Sequence, residues 1–262
     1  MQTPTHLITS GCSFSACGKW PSMLAEKMQL TLYNFGQSSC GNDWISRSVI
    51  YQAATLIENG IDPSKILIIV MWSGLDRKSL FVSKKENVEF DSFIGQNTPF
   101  HFIGAPINQY HVVNDRYGYI PGKPNCMLGT QALQQQKNNW YSYLTVEELV
   151  IESYEHFLRL QWFCMTNNVR ILNVTFGDIM HYPNFEFVGH KKTGKVTKNY
   201  YETVTHLHNM INFNQWKFHD ETGGQYEYTM SNNLSFDADK LHPSLDANMH
   251  YVDNFLIPVL SE

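Results

Sequence analysis

Ile8-Thr9-Ser10-Gly11-Cys12-Ser13-Phe14-Ser15 is the stretch that decides how the chain is read. An apolar run at 6–8 leads into a Gly-Cys-Ser-Phe-Ser turn. Pro21, with Trp20, Met23, Leu24 and Met28, then announces a helix. A buried strand that turns sharply into a helix leaves a serine hydroxyl at the edge of a sheet. The N–H groups of such a turn point where negative charge can develop, so Ser13 is a candidate nucleophile. A serine hydroxyl is hardly ionised at neutral pH. It needs a base, an orienter for that base and an oxyanion site, and the rest of the chain must supply them.

Outward from this turn the pattern is β-α-β-α-β. Strands are expected over 6–9 and 31–35, with a helix over 20–29 between them. A polar loop follows, Gly36-Gln-Ser-Ser-Cys-Gly-Asn-Asp43. A helix over 44–58 carries Ile45, Val49, Ile50, Ala53, Ala54 and Ile57 at helical spacing, with Asn42 or Asp43 as its cap and Asn59-Gly60 as its stop. The run 65–72 is apolar throughout after Lys65 and rich in β-branched residues, which marks a central strand with both faces covered in a parallel sheet. Right-handed crossovers are expected. Further along, Thr145 caps a helix over 146–166. A fourth strand is expected over 170–176, and a helix from Leu245 or Asp246 to about Leu260. The aromatic-rich stretches 78–143 and 177–235 read as insertions within a single domain, 1–262. The first is long enough to require short strands or turns of its own. Lys191-Lys192-Thr193-Gly194-Lys195 predicts a hairpin turn in the second. A fifth strand is not obvious.

The bulk composition narrows the function. With 262 residues, 43% hydrophobic and 16% charged, the chain can bury a sizeable α/β core. A net charge of −5 without a basic block argues against nucleic acid or an anionic membrane as partner. Five irregularly spaced cysteines argue against a disulfide framework and for a reducing environment. The first strand begins near His6, so no signal peptide is expected, and 66–72 is too short to span a bilayer. The expected location is cytoplasmic, or virion-associated through assembly into a larger particle. No cofactor and no metal are expected. Cys12, Cys17 and Cys40 share a predicted sheet edge, but Cys-x₄-Cys is a poor zinc spacing. His206, His208 and His219 form no ligand pattern.

Asp239-Lys240-Leu241-His242-Pro243-Ser244 is the second informative stretch. An aspartate three residues before a histidine, on a loop entering a helix, can put both side chains on one side. The carboxylate then accepts from one imidazole nitrogen while the other faces a serine. Taken alone, Asp-x-x-His is a common pairing and Ser13 an ordinary turn serine. At opposite ends of one α/β chain they become a candidate catalytic set.

Together these stretches resemble the SGNH (GDSL-type) hydrolase superfamily. Gly11-Cys12-Ser13-Phe14-Ser15 resembles its first block, and Asp239-x-x-His242 with Pro243 its last. Asn34-Phe35-Gly36 through Gly41-Asn42-Asp43 resembles its glycine block. The resemblance implies a three-layer α/β/α sandwich with a flavodoxin-like, mostly parallel sheet. It also implies a hydrolase with Ser13 as nucleophile and backbone oxyanion donor, His242 as base and Asp239 as orienter. Cys12 stands where the family has aspartate. The second oxyanion donor falls at Gly36, Ser39 or Gly41. The third block, Trp72-Ser73-Gly74-Leu75-Asp76-Arg77, lacks the family's asparagine, and either Ser73 or Arg77 donates in its place or one contact is missing. Asn42 and Arg77 are candidate substrate contacts. The expected substrate is a small-molecule or glycan ester, with an O-acetylated carbohydrate preferred because no long apolar lid is visible. The alternative is a non-catalytic structural or glycan-binding module on the same fold.

Overall fold

The structure is a computed structural model that describes residues 3–16, 18–37, 40–75, 77, 80–83, 102–103, 119–120, 123–128, 146–180 and 204–261. The expected Thr145 cap, the 191–195 turn, Cys17 and Ser39 lie outside the described residues.

The central strands form a four-stranded parallel sheet in the order Thr31–Asn34, His6–Gly11, Ile66–Trp72, Arg170–Thr175. They are β1 (His6–Gly11), β2 (Thr31–Asn34), β3 (Ile66–Trp72) and β8 (Arg170–Thr175). This is the strand order of flavodoxin-like doubly wound sheets, with the order reversing beside β1. β3 is buried at all seven positions, as an uninterrupted apolar run requires. The cover of the sheet comes from helices in two groups. α2 (Asn42–Glu58) packs on β1 and β3 and pairs with α3 (Val146–Asn167), while α1 (Trp20–Met28) packs on β2 and meets the C-terminal helix. The α2 stripe Ile45, Val49, Ala53 and Leu56 is buried, and its spacing keeps those side chains on one face. Pro21 stands in the first turn of α1, where its missing N–H has no bond to lose, and Gln29 at φ 55° closes that helix.

The first insertion carries β4 (Leu80–Ser83), β5 (Phe102–Ile103), β6 (Tyr119–Ile120) and β7 (Lys123–Leu128). β7 pairs antiparallel with β4 and β6 and parallel with β5, forming a small sheet separate from the central one.

One expectation needs correction. Asn42 and Asp43 do not cap α2. The cap is Gly41, and Asn42 is the first helical residue. The later part of the second insertion packs into the main core. Val204, Ile211, Trp216 and Tyr228 belong to the main hydrophobic core, and Trp216 stacks on Trp72 with centroids 6.2 Å apart. Trp216 also makes a single parallel bridge to Asn173 of β8, where a fifth strand would lie. The 3₁₀ turn Phe213–Gln215 precedes it, so the pairing is one residue long. The short helix α4 (Thr205–His208) and α5 (Gln225–Ser231) lie in the same segment. The final helix runs over 245–261, with one π turn inside it. α6 (Leu245–Tyr251) passes through a π turn, Val252–Leu256, into α7 (Ile257–Ser261). Pro258 accounts for this, because it has no N–H to give and crowds the carbonyl one turn back. The Asn254 amide donates to the His250 carbonyl at 3.1 Å within the wider turn.

Candidate active site

β1 ends at Gly11, and the chain bends at once into a 3₁₀ turn, Ser13–Ser15. Gly11 is needed there, since a Cβ would overlap the Ser15 side chain and lie 2.9 Å from the Met71 carbonyl oxygen. The turn is held from several sides. Trp20 Nε1 donates to Ser15 Oγ at 3.1 Å, and Asn34 Nδ2 donates to the Ser15 carbonyl at 2.9 Å. Phe14 is buried beneath, edge-on to Phe176 at 5.3 Å. The Ser13 hydroxyl is left half-buried at the carboxyl end of the parallel sheet, where ligands bind in such folds.

His242 arrives on the loop 236–243, whose ends meet in an antiparallel bridge between Phe236 and Pro243. Its Nε2 lies 2.6 Å from Ser13 Oγ, and its Nδ1 is hydrogen-bonded to Asp239 Oδ2. A carboxylate can only accept, so Nδ1 carries the proton. Nε2 then presents its lone pair and accepts from the serine hydroxyl. Asp239 Oδ1 accepts from the N–H groups of Leu241 (2.9 Å) and His242 (3.0 Å), a tight local turn that places Lys240 at φ 57°. Burial acts to raise the Asp239 carboxyl. The His242 and Leu241 N–H groups and the imidazole outweigh it and hold the carboxyl well below the usual carboxylate range. The imidazole packs against Phe14 at 5.0 Å and keeps 22% of its side-chain surface exposed, so the site opens to solvent.

The glycine loop does something other than expected. The Gly36 N–H donates to Asn34 Oδ1 at 2.9 Å, so it is already engaged. Gly36 is required for steric reasons, because a Cβ would run into the Ser15 carbonyl. Gln37 N–H and Cys40 Sγ both donate to the Gly11 carbonyl, at 2.9 and 3.1 Å. Burial, and after it the neighbouring Cys12, pushes the Cys40 thiol well above its ordinary value, so it stays a protonated donor. Gly41 is buried at the start of α2.

Ser73 and Asn42 also differ from expectation. Ser73 is fully buried. Its N–H donates to Asn42 Oδ1 at 2.9 Å, and its hydroxyl accepts from Arg77 Nη1 at 3.1 Å. Asn42 is fully buried too, so it is not a substrate contact. Its Nδ2 lies 3.1 Å from Ser153 Oγ and 3.3 Å from the Ser73 carbonyl. The loop after β3 has buried peptide groups that need partners, and Asn42 supplies them from α2. Arg77 is half-buried, with its guanidinium 5.5 Å above the Phe176 ring. Arg77, Phe176, Phe14 and His242 thus form a continuous run of contacts across the site.

Sequence reasoning passed over Lys19, Asp237 and Asn248, whose bonds join the turn of Ser13 to the loop of His242. Nothing local in the sequence marks contacts of that separation. Among the described residues no group of three or more His, Cys, Asp or Glu side chains comes together as metal ligands, and no helix is long and apolar enough to cross a membrane.

No family model and no curated protein sequence matches the chain. Among solved structures, a member of the lipolytic G-D-S-L family from Veillonella parvula is similar at a TM-score of 0.39 and 11% sequence identity. The match covers 96% of this chain and 98% of that one.

Proposed function

We propose that the chain is a serine acylhydrolase that cleaves a carboxylic ester. The observation that carries this reading is the hydrogen-bonded series Ser13–His242–Asp239, open to solvent at the carboxyl end of a parallel sheet. Ser13 Oγ attacks the ester carbonyl while His242 Nε2 takes its proton. Asp239 keeps the imidazole in the required tautomer and stabilises the imidazolium. The N–H of Ser13 opens the 3₁₀ turn, so it has no partner within that turn and faces the developing oxyanion. For the second donor the candidates are Ser39 or Gly41 on the glycine loop and Arg77 on the β3 side. His242 then protonates the leaving alcohol and activates water against the acyl-enzyme. The preferred substrate is an O-acetyl group on a carbohydrate.

The second reading is a non-catalytic glycan-binding or structural module. Two of the N–H groups expected to receive the oxyanion are bound within the chain, and that is the observation in its favour. A fluorophosphonate probe separates the two. Stoichiometric labelling at Ser13 with acetate release from an acetylated glycan is expected. A folded chain that neither labels nor releases acetate, yet binds the glycan, overturns the hydrolase reading.

A further inference from the structure

Ser13 and His242 come from opposite ends of the chain, so no local geometry sets the distance between them. Two other connections link their segments, besides the packing of Phe14 on His242. Lys19 directly precedes α1. Its Nζ donates to Asp237 Oδ2 at 2.6 Å and to the Pro243 carbonyl at 3.3 Å. Asp237 closes the neck of the base loop, donating its N–H to the His242 carbonyl at 2.7 Å and accepting from the Lys240 N–H at 2.9 Å. Asn248 is fully buried behind it. Its Oδ1 accepts from the Trp20 N–H (3.2 Å) and from Gln225 Nε2 (3.0 Å). Its Nδ2 donates to the Pro243 and Ser244 carbonyls at 2.9 and 2.8 Å. The Pro243 carbonyl therefore accepts from both Lys19 and Asn248, and it lies immediately after the candidate base.

We propose that Lys19 is a positioning residue. Its ion pair with Asp237 and its bond to Pro243 set the separation of Ser13 Oγ and His242 Nε2. The inference rests on the reading of Ser13 and His242 as nucleophile and base. Lys19 touches no reacting atom and acts through the loop it grips. The pair keeps 22% and 42% of its side-chain surface exposed, so it adds little to global stability. Its effect on rate is a different matter. Proton transfer depends on a separation of 2.6 Å, and a displacement near 1 Å costs about a hundredfold in rate. Asn248 shares the task, but its loss strands buried partners and endangers folding, so Lys19 is the residue to test.

The experiment uses the full chain and compares wild type with Lys19→Met, Lys19→Arg and Asp237→Asn. The readouts are the rate of Ser13 labelling by a fluorophosphonate, kcat and KM on p-nitrophenyl acetate, and the thermal midpoint. Lys19→Met is expected to slow labelling and kcat about tenfold to a hundredfold, with KM held within about twofold. Its midpoint is expected to stay within about 3 °C of wild type. Lys19→Arg can still bridge both acceptors and is expected to recover most of the rate. Asp237→Asn keeps an acceptor without the charge and falls between; it decides the matter if Lys19→Met does not fold. Wild type that labels, with Lys19→Met labelling equally fast, overturns the positioning role alone. So does an arginine variant as slow as the methionine one. A wild type that neither labels nor hydrolyses overturns the underlying hydrolase reading and takes this inference with it.

Discussion

Ser13 sits on a turn fixed by close packing, whereas His242 sits on a loop fixed by polar contacts in view of solvent. Around the serine, Gly11 and Gly36 let backbone and side chains approach where no Cβ fits, and Phe14, Ser15 and Trp20 are buried. Around the histidine, Asp239 keeps 49% of its side-chain surface exposed and Asp237 42%. The loop holds its shape through hydrogen bonds made to its own N–H groups and through Lys240 in the left-handed region. Packing is insensitive to pH and salt and intolerant of added volume. Polar contacts have the opposite character. The nucleophile should therefore respond to steric change and the base loop to charge.

The largest effect separates chemistry from scaffold. Ser13→Ala removes one oxygen from a half-buried position and leaves the packed turn intact. Turnover of p-nitrophenyl acetate is expected to fall by about 10⁶-fold, as for removal of a serine nucleophile elsewhere, with the thermal midpoint unchanged. Retention of wild-type turnover would remove Ser13 from the mechanism.

Gly36→Ala tests the packing side. The added methyl meets the Ser15 carbonyl, a backbone atom that cannot rotate away. The turn or the strand must shift, at an expected cost of about 3 kcal/mol in urea unfolding, with labelling of Ser13 lost in parallel. A neutral Gly36→Ala would mean that the two segments are not in close contact, and the contrast between turn and loop would lose its basis.

The same contrast explains what was legible in the sequence. β3 could be read because seven successive apolar residues allow few other placements. The turn after β1 could be read because glycine and serine punctuate a strand locally. The Asp239–His242 bond follows from a three-residue spacing on one loop. The roles of Asn42 and Ser73 could not be read. Asn42 looks like a helix cap in any local window, and only the fold brings the loop after β3 within its reach. Gly36 reads as one of three candidate donors, beside Ser39 and Gly41, whereas its constraint is the space beside Ser15. That constraint exists only once β1 and β2 are paired. Among the described residues the central sheet has no fifth strand, and the cause is similar. A strand of one bridged residue leaves no alternating pattern, and Trp216 takes its place through aromatic packing against Trp72 and Phe157.

The smallest expected effect lies on the polar side and concerns acid. Asp239 has its carboxyl held below the usual range in the folded chain, so the native state binds fewer protons there than the unfolded state does. The resulting stability is present in full above the unfolded carboxyl value of about 3.9. It is lost as pH falls from there through the lower folded value. Half the side chain is exposed, so solvent screening limits the contribution to below about 1 kcal/mol. Asp239→Asn keeps an oxygen for the Leu241 and His242 N–H groups but cannot carry the charge. Urea midpoints of wild type and variant should differ measurably at pH 6, and the gap should close as pH is lowered below about 4. The turn side gives the control, since a Gly36→Ala deficit arises from overlap and should persist across the same pH range. A gap for Asp239→Asn that is equally wide at both ends would show that the base loop, too, is held by shape and not by charge.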